Sequence, residues 1–207
     1  AIEEDGGETL VSEHRMFAEL DGVTISGQAD VYDRQTKTIY DLKTASVWEI
    51  INGVRLEREQ QLNIYGWLGK QEGWEVEHVA AVFILRDWSK MKATTEQNYP
   101  ASQVVEYKIR MWSDDEVEDF LRHRIQMHEQ AKEQLPFCTT DDKWTRPTKF
   151  AVMGKGRKSA FRLLNSMQEA QSWMKSNKKG NLIVERQGED VRCESYCSGQ
   201  PFCSQYK

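Results

Sequence analysis

The sequence predicts an α/β fold, a central mixed sheet flanked by helices, with a small cysteine-clamped ββαβ appendage. Three observations carry this. Two β-rich stretches around residues 23–43 form a hairpin behind the turn signal Asp21-Gly22. A helical segment, Glu57–Lys70, follows that hairpin and leads into the apolar run Val76–Leu85, which gives the strand–helix–strand order of a mixed sheet. Composition then changes after Pro136, where the cysteines begin.

The chain has 207 residues, 39% hydrophobic and 29% charged, which suits one globular domain or one domain plus an appendage. No apolar run approaches the ~20 residues of a membrane span, so no membrane partner is expected. A net charge of −5 gives no overall attraction to nucleic acid, so any such contact must use a local basic face. Four cysteines without a legible secretory leader point to a reducing, cytoplasmic compartment and to metal ligation over disulfides.

Ala1–Glu8 is acidic and glycine-containing and is expected to fray. Leu10–Leu20 reads as a strand that pairs with the Val23 strand, and it carries His14 as a weak candidate for the site. Val23, Ile25, Val31, Ile39 and Tyr40 are β-formers, with Arg34–Lys37 as the polar tip of their hairpin. Thr44–Ile51 reads as a short helical turn or loop. Glu57–Lys70 reads as a helix that ends near Gly69 or Gly73. Val76–Leu85 is apolar enough for a central strand, Arg86–Tyr99 reads as a polar loop, and Gln103–Trp112 alternates as a strand. Ser113 caps a helix expected to run to about Leu135, with Asp114, Asp115 and Glu116 in its first turn.

The chemistry concentrates in the hairpin. Asp41 and Lys43 are two apart, so on a strand they share a face. Asp30 lies across the hairpin from Asp41. Two carboxylates and an ammonium then converge, and hard oxygen ligands of that kind suit Mg²⁺. Gln61 and Tyr65 are one helical turn apart on the following helix and can face the same cleft.

Gly27-Gln28-Ala29-Asp30, then Asp41-Leu42-Lys43, then Gln61-x-x-x-Tyr65 resembles the PD-(D/E)XK nuclease superfamily, in its RecB-like exonuclease branch, over roughly residues 10–90. The resemblance implies a restriction-endonuclease-like core and a site in which Asp30, Asp41 and the Leu42 carbonyl hold Mg²⁺ or Mn²⁺. It implies that Lys43 assists the attacking water and that Gln61 and Tyr65 position the strand. The helix that precedes this core in the family has no counterpart legible in the sequence.

After Pro136, two strands (Phe150–Met153 and Ser159–Leu164), a helix from Ser166 through Lys175 and a third strand (Leu182–Glu185) give the ββαβ pattern. Lys149, Lys155, Arg157, Lys158 and Arg162 collect on its hairpin, either as a solvated face or as a nucleic-acid-binding patch. Cys193, Cys197 and Cys203 lie within eleven residues, and Cys138 supplies a fourth thiolate. Structural Zn²⁺ and [4Fe–4S] clusters both accept four thiolates. The resemblance favours the cluster, because several RecB-like nucleases carry a C-terminal cysteine triplet. Their usual first gap is two residues, where this chain has three, and their fourth cysteine precedes the core.

The expected function is therefore a metal-dependent deoxyribonuclease, an exonuclease of phage or bacterial recombination or repair, with DNA as partner. The alternatives are a non-catalytic nucleic-acid-binding module with a cysteine–metal staple and a zinc-stapled protein-interaction domain.

Overall fold

The computed structural model describes residues 9–206; the frayed end expected at Ala1–Glu8 lies outside the described residues. The chain divides between Lys132 and Glu133 into two compact units.

The first unit is built on a five-stranded sheet in the order β1-β2-β3-β4-β5. Strands β1 (Leu10–Leu20) and β2 (Val23–Asp33) form the expected antiparallel pair. Asp21 and Gly22 both take positive φ, 50° and 77°, as a two-residue turn matched to strand twist requires. Strand β3 (Thr38–Ala45) is antiparallel to β2 and parallel to β4 (His78–Leu85), and β5 (Val104–Ile109) is antiparallel to β4. One parallel pair among antiparallel ones makes the sheet mixed. The crossover between β3 and β4 contains the short α1 (Val47–Ile51) and the long α2 (Leu56–Gln71). Met16, Ile39, Leu62, Leu68, Phe83 and Leu85 are all 0% exposed and form the core beneath α2. Each such burial contributes about 1.5–3 kcal/mol before entropy is counted.

Asn63 sits in this core, 1% exposed, with every polar atom satisfied. Its Nδ2 donates to the carbonyls of Glu59 and Arg110, both at 2.9 Å, and its Oδ1 accepts from the Trp112 amide at 2.7 Å. It ties α2 to the segment leaving β5. The segment 86–99, expected as loop, contains a six-residue helix, α3 (Lys90–Thr95), that buries none of its side chains fully. The next helix, α4 (Asp114–Gln130), carries a full capping box between Ser113 and Glu116, and it stops five residues short of the expected end at Leu135.

The second unit has its own three-stranded antiparallel sheet in the order β8-β7-β9. A two-residue strand β6 (Thr145–Arg146) precedes β7 (Lys149–Met153), β8 (Arg162–Leu164), helix α5 (Met167–Asn177) and β9 (Leu182–Arg186). The expected ββαβ order is present. A second short strand, β10 (Glu189–Asp190), pairs back to β6 and leads directly into α6 (Val191–Ser195).

Candidate active site

Backbone pairing of β2 with β3 runs from Asp33↔Thr38 to Val31↔Tyr40 and stops. Beyond that point a side chain bridges the opening: the Asp30 carboxylate accepts the Leu42 amide at 2.6 Å. The hairpin therefore places Asp30 beside Asp41, as its register required. Asp41 is 2% exposed and Lys43 makes a short ion pair with its Oδ2. Leu42 itself turns its side chain to the opposite face, 47% exposed, which leaves only its backbone for the site.

Burying Asp41 has an electrostatic cost. Burial, foremost, and the neighbouring Asp30 carboxylate push its pKa above the ordinary 3.8, against the pull of Lys43 and Arg58. Its Oδ2 is buried and its polar contact is the Lys43 ammonium. The buried Asp41 oxygen already holds the Lys43 ammonium, and the adjacent Asp30 carboxylate adds further negative charge at the same place. Two carboxylates and a backbone carbonyl are hard oxygen donors of the kind Mg²⁺ or Mn²⁺ takes, so the residue types present fit the expected ion. Among the described residues no group of three or more His, Cys, Asp or Glu stands ready as a metal cage, and this pair of carboxylates does not need to be one.

Gln61 Nε2 donates to the Tyr65 hydroxyl at 2.7 Å, so the two side chains act as one unit on α2. Tyr65 also explains Gly27. A Cβ on residue 27 would lie 2.7 Å from Tyr65 Cε1 and 2.9 Å from Leu68 Cδ1, so only glycine lets β2 approach the helix this closely. His14 is not part of the arrangement. Its ring bonds Glu72 at 2.7 Å and lies 5.2 Å from the Trp74 ring, just beyond the C-terminal end of α2, whereas Arg58, whose charge acts on Asp41, is near the N-terminal end.

Sequence reading missed two contributors. Arg58 sits in the first turn of α2, pairs with Glu49 at 3.3 Å and acts on Asp41. Asp87 accepts from Ser46 Oγ at 2.6 Å and from the Val47 amide at 2.8 Å, pinning the start of α1 to the end of β4. Both bonds favour the ionised form, Ser46 foremost, and hold the Asp87 carboxyl below its ordinary value. Neither residue is part of a local motif, since each acts through a partner at least nine positions away.

In the second unit, Cys193 is close enough to Cys138 and Cys197 for both to raise its thiol pKa, after the larger effects of burial and Asp190. Gln205, two residues past Cys203, accepts the Cys138 amide at 2.9 Å and donates to the Pro136 carbonyl at 2.8 Å. The chain thus brings Cys138 near Cys193 and Cys197, and all four thiols are free. Four thiols are the chemistry a soft structural metal takes, but among the described residues no three of them stand together as a metal-binding group. The basic residues are less concentrated. Lys149 lies at the base of the β7–β8 hairpin and bonds Asn165, Arg157 stacks over Phe161 at 4.2 Å near the tip, and Lys155, Lys158 and Arg162 are exposed without a shared focus.

No family model matches the chain, and no curated protein matches it. Among solved structures it is similar to the crystal structure of SSO0001, at 20% identity with a TM-score of 0.41, over 65% of this chain. The chain spans about half, 54%, of that protein's length. No described helix is long and apolar enough to cross a membrane.

Proposed function

We propose that this chain is a metal-dependent deoxyribonuclease of PD-(D/E)XK type, its first unit a restriction-endonuclease-like core. One observation supports this above the rest: a buried Asp41 paired with Lys43, beside Asp30 locked onto the Leu42 amide. A structural ion pair has no need of a second carboxylate aimed at the same point, and buried like charges are costly unless a cation is to be held.

Asp30, Asp41 and the Leu42 carbonyl would hold Mg²⁺ or Mn²⁺, which when bound supplies charge neutralisation at a phosphoryl oxygen and a lower pKa for its water. Lys43 places its ammonium where charge develops on the scissile phosphate, a preorganised donor that needs no rearrangement during reaction. The Gln61–Tyr65 pair offers a hydroxyl and an amide to the sugar–phosphate strand. The four cysteines would hold a [4Fe–4S] cluster or zinc in a structural role.

The test is turnover of labelled DNA with Mg²⁺ or Mn²⁺. Asp30→Ala and Asp41→Ala should abolish it while the fold persists. Undiminished cleavage by Asp41→Ala would overturn the assignment.

A further inference from the structure

A cleft of about 420 Å³ opens one residue beyond Lys43, lined by Thr44–Ser46, by α1 and by the start of α2. Three guanidinium groups face it, from Arg55, Arg58 and Arg86. Among the described residues neither Arg55 nor Arg86 has a carboxylate within ion-pairing distance; only Arg58 is paired, to the largely buried Glu49. Three arginines at one concavity, two of them outside any ion pair although Arg86 also acts on the Asp87 carboxylate, are notable in a chain of net charge −5. Above them α1 presents Trp48, 58% exposed, whereas the other tryptophans of this unit are buried or partly buried. The mouth is rigid where it matters, because Asp87 and Ser46 fix the first turn of α1 and the Arg86 amide donates to the Ala45 carbonyl at 2.9 Å.

We propose that this cleft is a binding site for the sugar–phosphate backbone of a single-stranded nucleic acid, with Arg55 and Arg86 on successive phosphates and Trp48 as a stacking platform for an unpaired base. Arginine pairs with phosphate through its planar fork. An exposed indole stacks on any base whose faces are free, and in a duplex those faces are occupied by neighbouring bases. The site therefore selects an open strand over a helix. Arg58 lines the cleft and is near Asp41, so a strand held there continues toward the Asp41–Lys43 pair. The proposal rests on the nuclease reading for its consequence, not for its chemistry.

The experiment is anisotropy of a fluorescent 12-nucleotide single strand, as DNA and as RNA, with a blunt DNA duplex as the third arm. A chelator is present so that nothing is cleaved. Trp48→Ala should weaken single-strand binding about tenfold and barely change duplex binding. Arg55→Gln with Arg86→Gln should weaken it at least as much and should flatten the log–log salt dependence by about 1.4, roughly 0.7 for each phosphate left without its arginine. All three side chains are exposed, so the variants should melt with the wild type. Equal losses for DNA and RNA assign the site to features both share, and a loss confined to one names its ligand. Unchanged affinity and slope in the double arginine variant overturns the proposal, as does a wild type that binds no single strand. A wild type that cleaves DNA with Mg²⁺ while the variants bind normally removes the cleft and leaves the nuclease. Lost strand binding in the variants of a wild type that cleaves nothing removes the nuclease and leaves the cleft.

Discussion

Asp41 carries a testable linkage. Its folded-state pKa is raised above the ordinary 3.8, so the folded protein holds this proton more tightly than the unfolded chain does. The group's contribution to stability is complete below pH 3.8 and declines as pH rises through the raised value. Charging this buried carboxylate as pH rises is a cost to the fold. Asp41→Asn should therefore raise the melting temperature by a few degrees at pH 7 in chelator, and the gain should vanish below pH 3.8; a variant less stable than wild type at pH 7 would contradict this. Divalent-ion affinity should weaken as pH falls through the same window, because proton and ion compete for one oxygen. Gly27 gives a second residue-scale prediction. Gly27→Ala drives a methyl into Tyr65 and Leu68, so it should cost about 1–3 kcal/mol in denaturant melts and disturb the Gln61–Tyr65 pair. An unchanged midpoint would show that α2 moves away freely.

At the scale of elements, Asn63 joins α2 to the chain leaving β5 through three hydrogen bonds. Asn63→Ala strands the Trp112 amide and the Arg110 carbonyl and should cost about 2–4 kcal/mol, with cleavage per folded molecule retained. Loss of activity without loss of stability would place Asn63 at the site. The long elements are legible in the sequence because their patterns are strong: β1 and the hairpin have alternation and an Asp-Gly turn, α4 a capping box, and β4 an apolar run. Helix α3 is hidden because Lys90–Thr95 buries no residue fully and packs only Ala93 partly against the core, which leaves no periodicity to read. Strands β6 and β10 are hidden because two-residue strands are defined by each other and not by local propensity. The site shows the same division. Asp30, Asp41 and Lys43 can be read from strand spacing, whereas His14 is a false candidate because spacing along β1 cannot say which end of α2 it meets. Arg58 and Asp87 are invisible because their roles exist only after the crossover has folded.

For the whole molecule, each unit has a different source of order. The first has a buried core, whereas the second buries few large side chains and is threaded at both ends by cysteines. Metal binding there should be folding stability. Protein purified without oxygen should be brown if iron is bound, or colourless with one zinc per chain. Cys→Ser at any of positions 138, 193, 197 or 203 should remove the metal and lower the melting temperature of the second unit; a metal-free protein with an unchanged melt would contradict the staple. The first unit makes the chemical claim, and it depends on an ammonium standing against a buried carboxylate. Cleavage of labelled single- and double-stranded DNA with Mg²⁺ or Mn²⁺, wild type against Lys43→Ala, tests it most directly. Wild type should cleave only with the ion, and Lys43→Ala should fall by about 10²–10³-fold per folded molecule, the loss of one preorganised donor, and should melt lower because it leaves the buried Asp41 without its partner. Equal cleavage by the two proteins, or none by the wild type on either substrate, would contradict the claim.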